Sequence, residues 1–286
     1  MLLSGLSALQ QAQREHRAIP GFVAYNLETA QAIVHAGERT GRPVLLMAGS
    51  SAFRHAGLHE LAGMCVDLAS RSSAHVGVHL DHCRSLEEIA ACLEHGYSSV
   101  MIDGSHLPYR ENVEITRRAV EMAHAQGAWV EAELVGTAGD EDVSADVTAS
   151  DMTDPETARD FIDQTGIDAL AVAVGNVHGF TSVEPRIDLS RLEAIRDAAG
   201  IPLVLHGASG LGPETLLRCV RRGVAKINVN TELRRAYLDA LAAALPDAQD
   251  NVDLVTPMKA ARAAVADAAS AIVTMLEDGG QRSSRA

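Results

Sequence analysis

Short apolar, β-rich runs recur along this chain, each followed by a longer segment with helical patterning. The runs cover residues 18–26, 43–49, 74–82, 98–105, 128–135, 169–175, 201–208 and 225–230. Most are continuously apolar rather than alternating, as expected where helices cover both faces of a parallel sheet. Residues 28–39 read as helix, and SLEEIAACLEHG (85–96) carries a Ser start signal and a closing Gly. Segments beginning near Glu111, Asp154, Asp188 and Pro213 read the same way. Eight βα units in 286 residues predict an α/β fold of the (β/α)8 TIM-barrel class. An open doubly wound sheet is the alternative, but it would want GxGxxG after the first strand, and none occurs there. No linker composition interrupts the chain, so 1–286 reads as a single barrel domain with a helical C-terminal extension from about residue 246.

Composition narrows the function. The formal net charge of -14 argues against a nucleic-acid partner, since such binding depends on Lys and Arg at phosphates. It leaves room for an anionic small molecule in a locally positive pocket. Four cysteines without a CxxC pair, and an N-terminal segment lacking a basic region and a clean apolar stretch, predict reduced thiols in a cytoplasmic protein. No apolar run approaches the ~20 residues needed to span a membrane.

Chemistry gathers at the ends of the apolar runs. His82 in VGVHLDHC, His178 in LAVAVGNVHG and His206 in IPLVLHGAS close the third, sixth and seventh runs. In a barrel these ends open into one mouth, and three neutral imidazoles with an open fourth position are a common catalytic Zn²⁺ set. Each alone reads as a histidine bonded to backbone; together at equivalent strand ends they read as a metal centre. Asp81 precedes His82, placed to move protons, although alternation along a strand requires a local bend before both face one site. His79 is expected to face away from His82, and His106 is a weaker candidate for the mouth.

Asp103 and Ser105 share a face at the end of the fourth run and are candidates to orient a histidine. Glu131 and Glu133 share a face of the fifth, where unpaired acids are costly; Glu133 is nearer the mouth and is the better candidate ligand. Gly207-Ala208-Ser209-Gly210 leads into a helix start and reads as an anion nest. Asn228, Asn230 and Thr231 close the eighth run, beside the usual phosphate site of barrels. Of two lysines, Lys226 and Lys259, the first begins a strand far from the mouth, where a structural role is expected rather than Schiff-base chemistry. The acidic, Gly- and Ser-rich stretch Val135–Thr153 reads as a lid or a solvated loop.

VHLDH (78–82), SVMIDGSHLPYRENV (99–113), VEAEL (130–134), DALAVAVGNVHG (168–179), PLVLHGASG (202–210) and KINVNTEL (226–233) occur in this order. Together they resemble the signatures of class II, metal-dependent ketose-bisphosphate aldolases, nearest the tagatose-bisphosphate branch with fructose-bisphosphate aldolase next. The resemblance implies a zinc-dependent lyase that reversibly cleaves a ketose 1,6-bisphosphate to dihydroxyacetone phosphate and glyceraldehyde 3-phosphate. It implies His82, His178 and His206 as Zn²⁺ ligands and Glu133 as the acid holding the metal in an alternative position. Asp81 would be the acid/base at the C4 hydroxyl, and Glu141 the mobile-loop acid serving the enediolate carbon. Gly179, Gly207, Ser209 and Thr231 would cradle a phosphate, and Asn228 would contact the dihydroxyacetone portion, with Asn230 and Asn26 as further substrate contacts. Many relatives bind Na⁺ or K⁺ beside that phosphate, and a homodimer or homotetramer is expected.

Some positions depart from the pattern. Val135 and Ala138 replace glycines of the loop after the fifth strand. After His178 the family often carries Tyr and then Lys near the phosphate, whereas this chain reads Gly179-Phe180-Thr181-Ser182-Val183-Glu184. Near the first strand, relatives read FNxxN where this chain has Phe22-Val23-Ala24-Tyr25-Asn26. These differences keep open a modified or singly phosphorylated ketose as substrate. A metal-dependent barrel hydrolase is the competing class, but such enzymes often carry HxH after the first strand and this chain has none.

Overall fold

The computed structural model describes residues 5–139, 151–182 and 184–281. Its strands are β1 (Ile19–Val23), β2 (Val44–Gly49), β3 (Val76–Cys83), β4 (Ser99–Ile102), β5 (Trp129–Glu133), β6 (Ala169–Ala171), β7 (Leu203–Leu205) and β8 (Val224–Val229). They pair in parallel in chain order, and β1 meets β8 to close the barrel. The helices are α1 (Leu6–Arg14), α2 (Leu27–Thr40), α3 (Ser50–Ala56), α4 (Leu58–Arg71), α5 (Leu86–Glu94), α6 (Tyr109–His124), α7 (Pro155–Thr165), α8 (Leu189–Ala199), α9 (Pro213–Val220), α10 (Thr231–Asn251) and α11 (Val255–Gln281). The predicted (β/α)8 barrel is the fold observed.

Helix starts follow local chemistry. Asn26, Ser85, Asp154 and Asp188 each place a side-chain oxygen on a first-turn N–H, of α2, α5, α7 and α8 respectively. After β8, α10 continues through Pro246, and α11 returns to pack on α10 and α2.

Apolar residues form two layers. The outer one lies between strands and helices and includes Phe22, Leu46, Val78, Leu80, Val130, Phe161 and Leu205. Each large side chain fully buried there contributes about 1.5–3 kcal/mol. The inner one fills the barrel with Ile19, Leu45, Met47, Met101, Trp129 and Val204, and α1 closes it with Leu9 and Ala12. Several strands end earlier than their apolar runs. After β6 the chain bends at Gly175 (φ 102°), and Asn176 takes over the strand's role for nearby backbone. Its Oδ1 accepts from Val174 N–H, and its Nδ2 donates to the carbonyls of Val172 and His206. Apolar content therefore extends past the ladder into the segments that shape the mouth.

Candidate active site

The bend that alternation demanded lies in β3. His82 has φ 44°, in the left-handed region that non-glycine residues rarely adopt, and the pairing with β4 shifts register between Leu80 and Cys83. Asp81 and His82 both line one cavity of about 500 Å³ at the C-terminal ends of the strands. The expectation for His79 is corrected by the same bend. His79 is fully buried and stacks on the inward Trp129, with ring centroids 5.2 Å apart. It keeps the regular inward alternation of β3, and His82 is the residue that departs from it.

His82, His178 and His206 converge, with ligand nitrogens all within 4.8 Å of one another. Nδ1 of His206 lies 2.8 Å from Nε2 of His82. The other nitrogen of His206 has its own partner, since Nε2–H donates to Glu131 Oε1 at 2.7 Å. In a neutral ring that leaves the Nδ1 lone pair pointing at His82. On the far side of His82, Nδ1 faces Asp103 Oδ2 at 3.9 Å. A lone pair on Nδ1 of His206 beside a second imidazole nitrogen, with a third imidazole adjoining, fits a divalent cation of Zn²⁺-like preference. His178 is fixed by its backbone, its N–H donating to the carbonyl of Ala138 at 2.8 Å across a short parallel bridge.

A second convergent group contains His82, Asp103 and Glu133. Burial works against ionisation of Asp103, but the neighbouring His82, the hydrogen bond from Ser105 and the charge of Arg84 outweigh it and hold the carboxyl well below its ordinary range. Ser105 donates to Oδ1 through both its backbone N–H and its hydroxyl, and Arg84 Nε donates to Oδ2 at 3.1 Å. Glu133 Oε1 accepts from the N–H and hydroxyl of Thr137. Asp81 is buried and accepts from Asn228 Nδ2 at 3.0 Å, while Asn228 Oδ1 has no partner among the described residues.

Below this layer lies a charged cluster inside the barrel. Lys226 Nζ donates to Glu131 Oε2 at 2.8 Å, and both side chains are fully buried. Burial opposes the charge on Glu131, but Lys226 and His206 outweigh it and hold the carboxyl well below the usual range. Burial, then Lys226, pushes His79 well below the usual histidine range. The ammonium 3.5 Å from His79 Nε2 makes that nitrogen the acceptor, so Nδ1 carries the hydrogen toward Ser99 Oγ, 2.9 Å away.

The class II fructose-bisphosphate aldolase family model matches residues 4–281. The chain belongs to this family. The aldolase is 32% identical to the crystal structure of the YdjI aldolase from Escherichia coli K12, with a TM-score of 0.86, covering 96% of this chain and 97% of that one. A crystal structure from Coccidioides immitis is also 32% identical, with a TM-score of 0.85 and 97% of each chain covered. The fructose-bisphosphate aldolase of Campylobacter jejuni shares the fold at 19% identity, with a TM-score of 0.79 over 95% of this chain and 93% of that one. Class II aldolases are generally metal-dependent lyases, and among the described residues no helix is long and apolar enough to cross a membrane.

The expected phosphate residues of the aldolase adjoin this centre. Gly207 (φ 56°) follows His206, and a Cβ on it would meet the Val177 carbonyl at 2.5 Å, so only glycine fits. Ser209 Oγ accepts from Thr231 N–H at the start of α10 and donates to Glu232 at 2.5 Å. Glu232 also accepts from Gly210 N–H, and Glu184 accepts from Gly212 N–H, so two carboxylates hold donors of this loop. Arg234 Nη2 donates to Thr231 Oγ1 at 3.2 Å, placing a cation near the loop that lacks the family lysine.

The remaining expected residues divide between the cavity and its surroundings. Asn26 caps α2 and donates to the Tyr237 hydroxyl. Asn230 lines the cavity and donates to the Tyr25 hydroxyl at 2.8 Å. Gly179 (φ 81°) follows His178 directly. His106 is exposed and does not line the cavity. Glu141 and Val183 lie outside the described residues. Sequence reasoning missed Ser50, Ser51 and Arg54 of α3 and Arg84 beyond β3, all on the cavity wall. The apolar runs that located the strands pass over a polar helix following β2.

Proposed function

We propose that this aldolase is a Zn²⁺-dependent enzyme that reversibly cleaves a ketose 1,6-bisphosphate, of the tagatose or fructose configuration, to dihydroxyacetone phosphate and glyceraldehyde 3-phosphate. The observation that carries the reading is the convergence of His82, His178 and His206 beside the buried Asp81. These histidines would hold the metal, and Glu133 with Asp103 and His82 would offer it a second position. Bound there, Zn²⁺ supplies Lewis-acid polarisation of the substrate carbonyl.

The protein's own groups manage protons and orientation. Asn228 holds one oxygen of Asp81, leaving the other to take the proton of the C4 hydroxyl as the C3–C4 bond breaks. The unpartnered Oδ1 of Asn228 can accept from a substrate hydroxyl. Glu141, matched by motif, would return a proton to the dihydroxyacetone carbon. Gly207, Ser209 and Thr231 would receive one phosphate, while Arg54 and Arg84 offer positive charge on the cavity wall.

A second reading within the same chemistry is a singly phosphorylated or otherwise modified ketose. It is favoured by Glu184 and Glu232 on the N–H groups of the Gly210–Gly212 loop, which a phosphate would have to displace. The test is a retro-aldol assay with fructose and tagatose bisphosphates and with the corresponding 1-phosphates and 6-phosphates. The first reading expects the bisphosphates to give the highest kcat/KM. A 1-phosphate cleaved as well as its bisphosphate would transfer the assignment to the second reading.

A further inference from the structure

We propose that Lys226 is a positioning residue for the metal centre, holding Glu131 so that this carboxylate fixes the orientation of His206. The inference rests on the reading of His82, His178 and His206 as metal ligands. Lys226, Glu131, His79 and His206 are all fully buried inside the barrel. Glu131 uses its two oxygens on two different partners. Oε2 receives the Lys226 ammonium at 2.8 Å, and Oε1 receives the His206 Nε2–H at 2.7 Å. A charge-assisted bond on one oxygen pins the carboxylate plane, and the second oxygen transmits that constraint to the imidazole. The lone pair of His206 Nδ1 then points toward His82 Nε2, 2.8 Å away. His79 braces the ammonium from the side, held by Ser99 and stacked on Trp129.

A filling role alone does not account for this cluster. The same interior accommodates Met47, Met101 and Val204. Replacing a buried ion pair with well-packed apolar side chains is often neutral or stabilising. The charged pair therefore brings no advantage as packing, and what it adds over apolar residues is its third contact, to His206. Partners that hold the far nitrogen of a metal-bound histidine typically change metal affinity by 10–100-fold when removed. The sequence disguises the role because Lys226 lies at the start of its strand, a level below the mouth, and reaches the centre only through Glu131.

The experiment compares the wild-type protein with Lys226→Met, Glu131→Gln and the double variant. Each is freed of metal, titrated with Co²⁺ alone against a competing chelator, and monitored by its visible absorption spectrum and thermal midpoint. Lys226→Met is expected to weaken Co²⁺ binding about 10–100-fold and to alter the ligand-field bands. Once Glu131 is Gln, adding Lys226→Met should change affinity less than about twofold, because the lysine acts through that carboxylate. Wild-type affinity and spectrum in Lys226→Met, whatever its thermal midpoint, would overturn the proposal. So would effects of the two substitutions that simply add. Should Lys226→Met alone not fold, the double variant retains a charge-balanced interior, and wild-type Co²⁺ binding by it or by Glu131→Gln overturns the proposal equally. A wild-type protein that takes up no Co²⁺ would instead remove the three-histidine metal reading itself.

Discussion

Nδ1 of His206 and Nε2 of His82 face each other at 2.8 Å, although the third and seventh strands that carry them are not neighbours in the barrel. Two imidazole nitrogens this close share either a hydrogen or a cation, and the Glu131 contact on His206 Nε2 leaves the Nδ1 lone pair of His206 open to either.

Removal of divalent metal with a chelator is therefore expected to abolish cleavage, and Zn²⁺ to restore it. Borohydride with substrate should leave the protein unmodified, because Lys226 is buried against Glu131 and Lys259 lines a separate groove between α2, α4 and α11. Mass spectrometry of the reduced mixture checks the second point, and full turnover by metal-free protein in excess EDTA would refute the first.

Asp81→Ala should lower kcat by roughly 10²–10⁴-fold while one metal ion per chain is retained. Asp81 touches Asn228 and lies outside both convergent donor groups, so its loss removes a proton acceptor and not a ligand. Metal analysis beside steady-state kinetics checks this, and wild-type turnover would exclude Asp81 from proton transfer.

Gly207→Ala should cost about 2–4 kcal/mol, combining a disfavoured φ with a Cβ forced against the Val177 carbonyl. The strain falls between His206, its chain neighbour, and His178, which follows Val177. Metal affinity should fall together with the thermal midpoint; an unchanged melt would show that the loop relaxes freely.

The four cysteines are all free and buried. Burial pushes the thiols of Cys65 and Cys83 up to about 12 and that of Cys219 up to about 11. At pH 8 a thiol of pKa about 12 is ionised to roughly one part in ten thousand, so the native protein should resist thiol reagents. Labelling should appear on denaturation. Rapid modification of the native protein would contradict the burial.

Strand order and the identity of the converging histidines were legible because both follow from local pattern. Apolar runs mark covered strands, and residues ending those runs share a mouth. Two kinds of feature escaped. The ends of β6 and β7 are set by Asn176, whose side chain replaces ladder bonds without altering the apolar count around it. Arg84 and Lys226 act through partners distant in sequence, Asp103 and Glu131, and no spacing rule connects them. His79 was misjudged because its direction was counted by alternation from His82, the residue at which β3 departs from alternation.

The left-handed turn at His82 bears on any attempt to transplant this centre. A designer copying Asp81, His82, His178 and His206 onto an idealised barrel would build a straight third strand, and His82 would then point outward among the helices. The portable unit is the irregular backbone of that strand together with its shifted pairing to the fourth. A scaffold lacking this defect would carry the right amino acids without bringing them together.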